Sequence, residues 1–236
     1  MSFLIAVSSC QRDIPIHAVI DETWGAVAKE YGIPYIITVG DPLNRLPDDW
    51  YHLACKTHWN VRRALEQGCE WMFQGFVDTF ISIRRLANAY ADLPVHADII
   101  GNYFFHGVED GGPCGGSGYW LSRRAMEVIA QADPTDVKSE DIWVARVLSE
   151  AGLKGFHDPR YDHLSMRGGV SLYNNHITNH LFSHYGEYQQ LKFGYQAFDP
   201  DWLRQEQRQE LTGELSQQNV DRKREWKVLR GEINLL

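Results

Sequence analysis

Short apolar runs alternate with segments of helical spacing along the first half of the chain, and this alternation limits the folds open to the sequence. Leu4–Val7 has the length and composition of a buried strand. The apolar residues of His17–Tyr31 recur at helical spacing and stop at Gly32, a common residue after a helix. Pro34–Val39 and Glu70–Gln74 repeat the strand-like pattern farther along. This order predicts an α/β domain whose central sheet is mostly parallel and is flanked by helices on both faces.

The remaining elements fit one domain of this kind. The later elements are predicted as helices at Trp50–Gln67, Ile81–Ala91, Ser122–Gln131 and Ser139–Ala151, the last capped by Ser139, and as a strand at Ala97–Gly101. Glu109–Gly118 is dense in glycine and is predicted to be a mobile loop. We place the domain at residues 1–198 and expect the charge-mixed tail, residues 199–236, to be a surface helix packed on the same domain.

Charge and cysteine content argue against several classes of function. The formal net charge of -8 disfavours a protein that mainly grips the nucleic-acid backbone, because that affinity comes from many lysines and arginines. The four cysteines, Cys10, Cys55, Cys69 and Cys114, form no CxxC pair, so neither a zinc knuckle nor a disulfide framework is indicated. The first apolar run is too short for a signal peptide or a membrane anchor. We therefore expect a soluble protein in the cytoplasm of a microbe or of a virus-infected host cell.

The ends of the predicted strands indicate where a ligand would bind. Open α/β sheets bind ligands at the carboxyl ends of their strands, which places Ser8, Ser9 and Asp78 on one edge. No G-x-G-x-x-G motif follows the first strand, so a dinucleotide-dependent oxidoreductase is poorly supported.

Four separated segments carry the patterns of one known family, in that family's order. Ile5–Asp13 running into Ile20–Gly25 looks like a strand followed by an IR-x-TWG helix. Tyr51–Thr57 is similar to a Y-x-NLTLKT helix. Cys114–Arg123 is similar to a C-S-G-x-G-Y-x-x-S-R loop and helix, and Ser139–Val144 matches the start of an E-D-V-x-x-G helix. With these motifs the chain resembles the Fringe and β1,3-galactosyltransferase group.

The resemblance implies a fold and a reaction. It implies a single GT-A domain, which is a Rossmann-like fold, and transfer of a hexose from a UDP-sugar donor to a hydroxyl acceptor with inversion. The family has three consecutive aspartates at its Mn²⁺ or Mg²⁺ site, where this chain reads Phe76-Val77-Asp78. By the resemblance Asp78 ligates the metal. Phe76 and Val77 stand where the family's other two aspartates hold the nucleotide, and an apolar pair there can pack against the nucleotide instead.

A second metal ligand is expected among the histidines of the last third of the chain. A divalent cation held by carboxylate and imidazole would neutralise the charge that develops on a departing diphosphate. These histidines are His157, His163, His176, His180 and His184. The resemblance favours His180, with His163 as the alternative, although a structural role is as common for any one histidine. Asp78 likewise has an alternative role as the cap of a helix beginning at Thr79.

Two adjacent acidic residues are candidates for the general base. Inversion needs a base that removes the proton of the acceptor hydroxyl. By the resemblance Asp141 is that base, and Glu140 stands beside it. Acidic residues in the first turn of a helix also stabilise the helix dipole, so a structural role stays open for both.

The loop after the first strand is expected to hold the donor. By the resemblance Ser8, Ser9 and Arg12 contact the uracil and the ribose, and Lys56 approaches the nucleotide. A pair of serines after a strand is equally common as simple turn chemistry.

The glycine-dense segment offers a second set of candidate donor contacts. Around Gly116, Ser117 and Gly118 the backbone amides would be able to approach a sugar or a phosphate. Tyr119 and Trp120 offer a stacking surface for a sugar ring or a base, with core packing as the equal alternative.

Three functions follow from these patterns. The first is an active transferase whose acceptor is a glycan or a protein. The second is the same chemistry on a hydroxylated base in DNA, which the acidity of the chain disfavours. The third is a module that binds a nucleotide-sugar or a glycan without catalysis, suggested by the apolar residues Phe76 and Val77.

Overall fold

The elements of the fold are taken from a computed structural model. It describes residues 3–44, 46–104, 112–135, 137, 139–162 and 177–180. The strands are β1 Phe3–Ser8, β2 Tyr35–Thr38, β3 Trp71–Phe76, β4 Thr79–Ile81, β5 Ile99–Gly101, β6 Tyr103–Phe104, β7 Gly112–Pro113, β8 Tyr119–Ser122, β9 Gly155–His157, β10 Tyr161–Asp162 and β11 Thr178–His180. The helices are α1 Ile14–Glu22, α2 Trp24–Glu30, α3 Leu53–Glu66, α4 Ile83–Ala91, α5 Arg123–Ile129 and α6 Glu140–Glu150.

The main sheet has six strands in the order β2-β1-β3-β8-β5-β9. Strand β1 runs parallel to β2 and β3, and β5 runs parallel to β9. Strand β8 lies between β3 and β5 and is antiparallel to both. The predicted α/β domain with a mostly parallel sheet is therefore confirmed, with β8 inserted in the opposite direction.

Helices cover both faces of this sheet, as the alternation predicted. On β1, Phe3, Ile5 and Val7 pack with α1, α2 and α4, whereas Leu4 and Ala6 pack with α3, α5 and α6. Because both faces are buried, β1 is apolar at every position up to its last residue, and it reads as a continuous apolar run.

Two predicted helices differ from the observed ones. The helix expected at His17–Tyr31 is divided into α1 and α2 at Thr23, whose backbone leaves the helical region. The Thr23 hydroxyl donates to the Val19 carbonyl at 2.5 Å, a local hydrogen bond that competes with regular helix geometry. The helix expected from Ile81 begins at Ile83 instead, because Thr79–Ile81 forms strand β4.

The prediction of a mobile loop is wrong for the described part of the glycine-dense segment. Gly112–Gly118 contains β7 and a 3-10 turn at Gly115–Ser117, and most of it is buried. The Thr79 hydroxyl donates to the Gly116 carbonyl at 3.0 Å, and the Thr178 hydroxyl donates to the Ser117 carbonyl at 2.5 Å. Here the glycines allow close packing between backbones.

Of the two predicted roles of Tyr119 and Trp120, core packing is confirmed and stacking on a ligand is wrong. Both side chains lie in β8 and are completely buried. The Trp120 indole donates to the Tyr161 hydroxyl at 2.6 Å, and its ring packs edge-on against Phe73 and Phe3. These aromatic residues hold β8 in the sheet and cannot stack on a ligand.

The C-terminal part of the predicted domain organisation lies outside the described residues. This holds for the tail 199–236, for His163 and for His176. Within the described ranges, no helix has the length and apolar character needed to cross a membrane.

Gly118 provides a test of the close packing around the 3-10 turn. Its φ is +75°, and a Cβ atom there would lie 2.4 Å from the Phe73 ring. We predict that Gly118→Ala lowers the free energy of unfolding by about 3 kcal/mol, from left-handed strain and overpacking together. Gly152→Ala is the matched control, because Gly152 has φ +68° in open space and loses only about 1 kcal/mol to strain. Equal losses in urea titrations of the two variants would contradict the packing described.

Candidate functional site

Residues from distant parts of the chain meet at the carboxyl ends of β1 and β3. Ser8 pairs with Phe76 in the sheet, and the Val77 amide donates to the Ser8 carbonyl at 3.2 Å. Gly115 packs closely against both Phe76 and Glu140. A Cβ atom placed on Gly115 would lie 3.0 Å from the Phe76 ring and 3.3 Å from Glu140 Oε2. We call this region the sheet-edge site, and it comprises Ser8–Asp13, Phe76–Asp78, Gly115–Ser117 and Glu140–Asp141.

A buried polar network lies beneath the sheet-edge site. The Ser8 hydroxyl accepts hydrogen bonds from Gln74 Nε2 at 3.0 Å and from Asn60 Nδ2 at 3.4 Å. Asn60 Nδ2 also donates to Gln74 Oε1 at 3.1 Å, and the Thr38 hydroxyl donates to Asn60 Oδ1 at 2.5 Å. The network joins β1, β2, β3 and α3, so the Ser8 side chain stabilises the packing of α3 on the sheet. The contact of Ser8 with a nucleotide stays a prediction.

An ion pair between the buried Lys56 and the exposed Asp48 holds the loop that follows β1. Lys56 is fully buried, and its Nζ donates to the Ser9 carbonyl at 2.7 Å and lies 3.8 Å from Asp48 Oδ1. The Asp48 carboxylate accepts hydrogen bonds from the Gln11 amide at 2.9 Å and from the Gly40 amide at 2.8 Å. The ammonium of Lys56 thus fixes the loop from below, and its approach to a nucleotide stays a prediction.

The two other predicted residues of this loop differ in exposure. Ser9 is buried, and its Oγ lies 2.7 Å from His17 Nε2. Burial lowers the pKa of His17 and so favours the neutral imidazole, while Asp13 and Asp21 act in the opposite direction. The Arg12 side chain is 73% exposed and lies 3.5 Å from Asp13, so it remains accessible to a ligand.

The altered motif forms a tight turn between β3 and β4. Phe76, Val77 and Asp78 are all buried. The Phe76 amide donates to the Thr79 hydroxyl at 2.9 Å, which closes the turn. The alternative role of Asp78 as a helix cap is wrong, because a strand follows it and α4 begins only at Ile83.

A three-stranded sheet, in the order β10-β11-β4, brings a predicted histidine position next to this turn. Strand β11 is antiparallel to β4, and its register pairs His180 with Thr79. The backbone of His180 therefore lies across from the residue that follows Asp78. In the part of the chain that the structure describes, no group of three or more His, Cys, Asp or Glu side chains is arranged to hold a metal. The metal site stays a prediction.

Parts of the 3-10 turn are already engaged in hydrogen bonds. The Ser117 amide donates to the Cys114 carbonyl at 3.2 Å, and the Gly118 amide donates to the Gly115 carbonyl at 2.8 Å. Gly116 is the partly exposed residue of this turn. A contact between the turn and a sugar or phosphate is consequently best placed at Gly116.

The two candidate carboxyl groups have opposite environments. Glu140 is buried, and its Oε1 accepts hydrogen bonds from the Thr57 hydroxyl at 2.8 Å and from the Tyr119 hydroxyl. Burial raises the pKa of Glu140 to about 8, so its carboxyl group is mostly neutral at pH 7. Asp141 is partly exposed and accepts from the Ile142 amide at 2.9 Å and from the Ser139 hydroxyl. Ser139 is the N-cap residue as predicted, but its hydroxyl bonds Asp141 and makes no capping bond.

A groove of about 600 Å³ opens at the other end of the strands, where β3 begins. Trp71, Ser122, Arg123 and Lys154 line it. The Ser122–Arg123 end of the third family-like segment therefore lies away from the sheet-edge site.

Solved structures supply the comparison that decides the fold. No protein-family model matches the chain, and no curated protein matches it in sequence. A glycosyltransferase involved in glycosylating the major capsid protein of PBCV-1 is similar, with a TM-score of 0.57, 10% identity and coverage of 83% of this chain and 99% of that chain. This chain has the GT-A fold.

Two further glycosyltransferase structures show weaker likeness to this GT-A domain. The catalytic domain of Drosophila β1,4-galactosyltransferase 7 has a TM-score of 0.47 and 11% identity, covering 80% of this chain and 78% of that one. Mouse xyloside xylosyltransferase 1 has a TM-score of 0.39 and 9% identity, covering 75% and 96%. At such identities the comparison concerns the fold alone.

Sequence reasoning missed the residues that support the site from within. Gln74 is a polar residue inside an apolar strand, and Thr57 and Asn60 lie on the buried face of α3. Buried polar groups must be hydrogen-bonded, so a polar residue in an apolar pattern is a usable signal for such a network. Asp48 gives no comparable signal, because it stands in a polar loop.

The buried network leads to a test of its own. We predict that Asn60→Ala lowers the free energy of unfolding by about 2–4 kcal/mol, because the variant removes the hydrogen-bond partners of Gln74 Oε1 and the Thr38 hydroxyl in the interior. Asn88→Ala is the matched control, since Asn88 is exposed on α4, and we expect a change within about 0.5 kcal/mol. Urea titration measures both, and a loss below about 1 kcal/mol for Asn60→Ala would contradict the network.

Proposed function

We propose that the protein is a glycosyltransferase that moves a sugar from a UDP-sugar to a hydroxyl acceptor with inversion at the anomeric carbon. The observation that carries the proposal is the sheet-edge site on a GT-A fold. The loop after β1, Asp78 after β3 and Asp141 on α6 converge there from separate parts of the chain. These positions are the ones that the Fringe-like motifs assign to donor, metal and base.

We propose that the donor binds against the loop after β1. Arg12 is exposed at this loop and would pair with the uracil or the diphosphate, while Lys56 and Asp48 keep the loop in position. Gly116 would approach the sugar from the other side. Phe76 and Val77 supply apolar walls in place of the family's carboxylates.

We propose a metal site between β4 and β11. Asp78 and His180 would hold Mn²⁺ or Mg²⁺, with His163 as the alternative histidine. The fit rests on a buried carboxylate that adjoins the residue paired with His180. When bound, the cation would act as a Lewis acid on the leaving diphosphate.

Asp141 is assigned the role of general base. It is partly exposed, and so an acceptor hydroxyl can reach its carboxylate. Glu140 is unsuited to this role because it is buried and mostly protonated at neutral pH. In the reaction Asp141 takes the hydroxyl proton while the acceptor oxygen attacks the anomeric carbon opposite the departing UDP.

The acceptor is assigned by class only. Capsid glycosylation by the PBCV-1 enzyme makes a protein-linked glycan the first class to test, ahead of a hydroxylated base in DNA. The net charge of -8 disfavours DNA as a partner. A cytoplasmic location would suit such an enzyme.

A binding module without catalysis is the second candidate function. It is favoured by the burial of Phe76 and Val77 where the related family has carboxylates. Tight UDP-sugar binding without turnover would support this candidate over the transferase.

Replacement of Asp141 tests the assigned chemistry. We predict that Asp141→Asn lowers kcat by about 100-fold or more, because the amide cannot accept the hydroxyl proton. Glu150→Gln, at the far end of the same helix and exposed, is the matched control and keeps full activity. UDP release measures the rate, and undiminished turnover of Asp141→Asn would contradict the assignment.

Thermal denaturation with donor and metal tests the proposed cation site. We predict that a UDP-sugar together with Mn²⁺ raises the Tm, since a ligand at 100 times its Kd adds about 2.7 kcal/mol to the unfolding free energy. Asp78→Ala should remove the Mn²⁺ dependence of this shift. Asp92→Asn, a surface carboxylate at the end of α4, serves as the control. An equal rise in Tm with the UDP-sugar alone would contradict the proposed cation site.

A further inference from the structure

Glu140 lies where three elements of the fold meet. It is the first residue of α6, and its Oε1 accepts hydrogen bonds from Thr57 on α3 and Tyr119 on β8. Oε2 is buried and has no hydrogen-bond partner among the described residues. Both donors thus bond to a single oxygen of the carboxyl group.

The surroundings of Glu140 favour the neutral acid. Asp141 on the same helix opposes its ionisation, and Tyr119 on β8 remains protonated because burial raises its pKa. Cys114, before the 3-10 turn, is also neutral, because burial raises its pKa to about 11. On α3, the ammonium of Lys56 is directed to the Ser9 carbonyl. An ionised Glu140 would therefore be a buried charge without a counter-charge.

Close packing connects Glu140 to the rest of the sheet-edge site. A Cβ atom on Gly115 would lie 3.3 Å from Glu140 Oε2 and 3.0 Å from the Phe76 ring. A Cβ atom on Gly112 would lie 3.4 Å from the Asp141 carbonyl oxygen. The first turn of α6 therefore cannot move without disturbing β7, the 3-10 turn or the altered motif.

We propose that Glu140 is a positioning residue that, as a neutral acid, holds the first turn of α6 and therefore Asp141 in place, and that its ionisation disables the site at alkaline pH. The inference rests on the proposed function, because it assigns a role toward the base of that reaction. Ionisation would require Glu140 to draw in water or to leave its site. Either change displaces Asp141, and misplacement of a catalytic group by about 1 Å costs about 100-fold in rate.

Substitutions at two positions separate this role from a merely structural one. Glu140→Gln keeps the acceptor oxygen for Thr57 and Tyr119 and cannot ionise, whereas Glu140→Ala removes the oxygen. Thr57→Val removes a donor that stabilises the ionised form, so it raises the pKa of Glu140 further. The inference thus predicts a different pH profile for each of these variants.

The experiment is the pH dependence of kcat and KM from pH 6 to 10 for the wild type and these variants. The wild type should lose kcat as the pH rises through about 8. Glu140→Gln should retain activity at pH 7 and lose this alkaline decline, and Thr57→Val should shift the decline to higher pH. Glu140→Ala should lose about 100-fold in kcat at all pH values. An unchanged alkaline decline in Glu140→Gln would overturn the inference.

The unfolding free energy separates failure of the inference from failure of the proposed function. A raised folded-state pKa contributes stability that is fully present below the ordinary glutamate range and is lost as the pH rises through about 8. The wild type should therefore lose stability relative to Glu140→Gln between pH 5 and 8. Absence of turnover in the wild type contradicts the proposed function, whereas equal pH dependence of stability in the two proteins contradicts the neutral Glu140.

Discussion

The structure depends on one requirement, that the polar groups buried at the carboxyl ends of β1 and β3 bond one another. Ser8, Asn60 and Gln74 satisfy this requirement in a single network between strand and helix. The buried Lys56 likewise donates to the carbonyl of Ser9, and it pairs with the solvent-accessible carboxylate of Asp48. Each bond fixes a segment that reaches the surface only a few residues later. These buried hydrogen bonds give the loop after β1 a defined geometry before any ligand binds. Electrostatic catalysis depends on polar groups that are preorganised in this way.

Two neighbouring carboxyl groups differ in their environment. Glu140 and Asp141 are consecutive residues, yet one is enclosed by α3 and β8 and the other reaches the surface. The difference arises because successive helical residues point in directions about 100° apart. A buried acid and an accessible acid in one site are suited to distinct catalytic roles. This division supports Asp141 as base and Glu140 as its support.

The parts of the fold predicted from the sequence were those in which local pattern and burial agree. Strand β1 is a continuous apolar run up to its last residue because both its faces are covered, and Gly32 and Gly68 follow their helices with positive φ. Strand β8 was not predicted, because Tyr119–Ser122 is short and is followed at once by α5.

The location of the candidate site could be predicted from the sequence, but the contacts of its residues with the interior could not. The strand-end rule and the family-like motifs brought Ser9, Asp78 and Asp141 to one region, whereas the contacts of Lys56 and Glu140 with the interior depend on long-range packing. Sequence spacing carries no information on which of two adjacent acids faces inward. The metal ligands stay predictions for a related reason, since the pairing of His180 with Thr79 joins segments about 100 residues apart, a separation that no local pattern encodes.

The central claim is that the sheet-edge site transfers a sugar by direct attack of an acceptor activated by Asp141. The most direct measurement is the anomeric configuration of the product, determined by NMR after incubation with a UDP-sugar, Mn²⁺ and a hydroxyl acceptor. The account predicts a glycoside inverted relative to the donor, formed together with UDP. A product of retained configuration would contradict the role of Asp141, and UDP-sugar binding without any product would contradict the transferase itself.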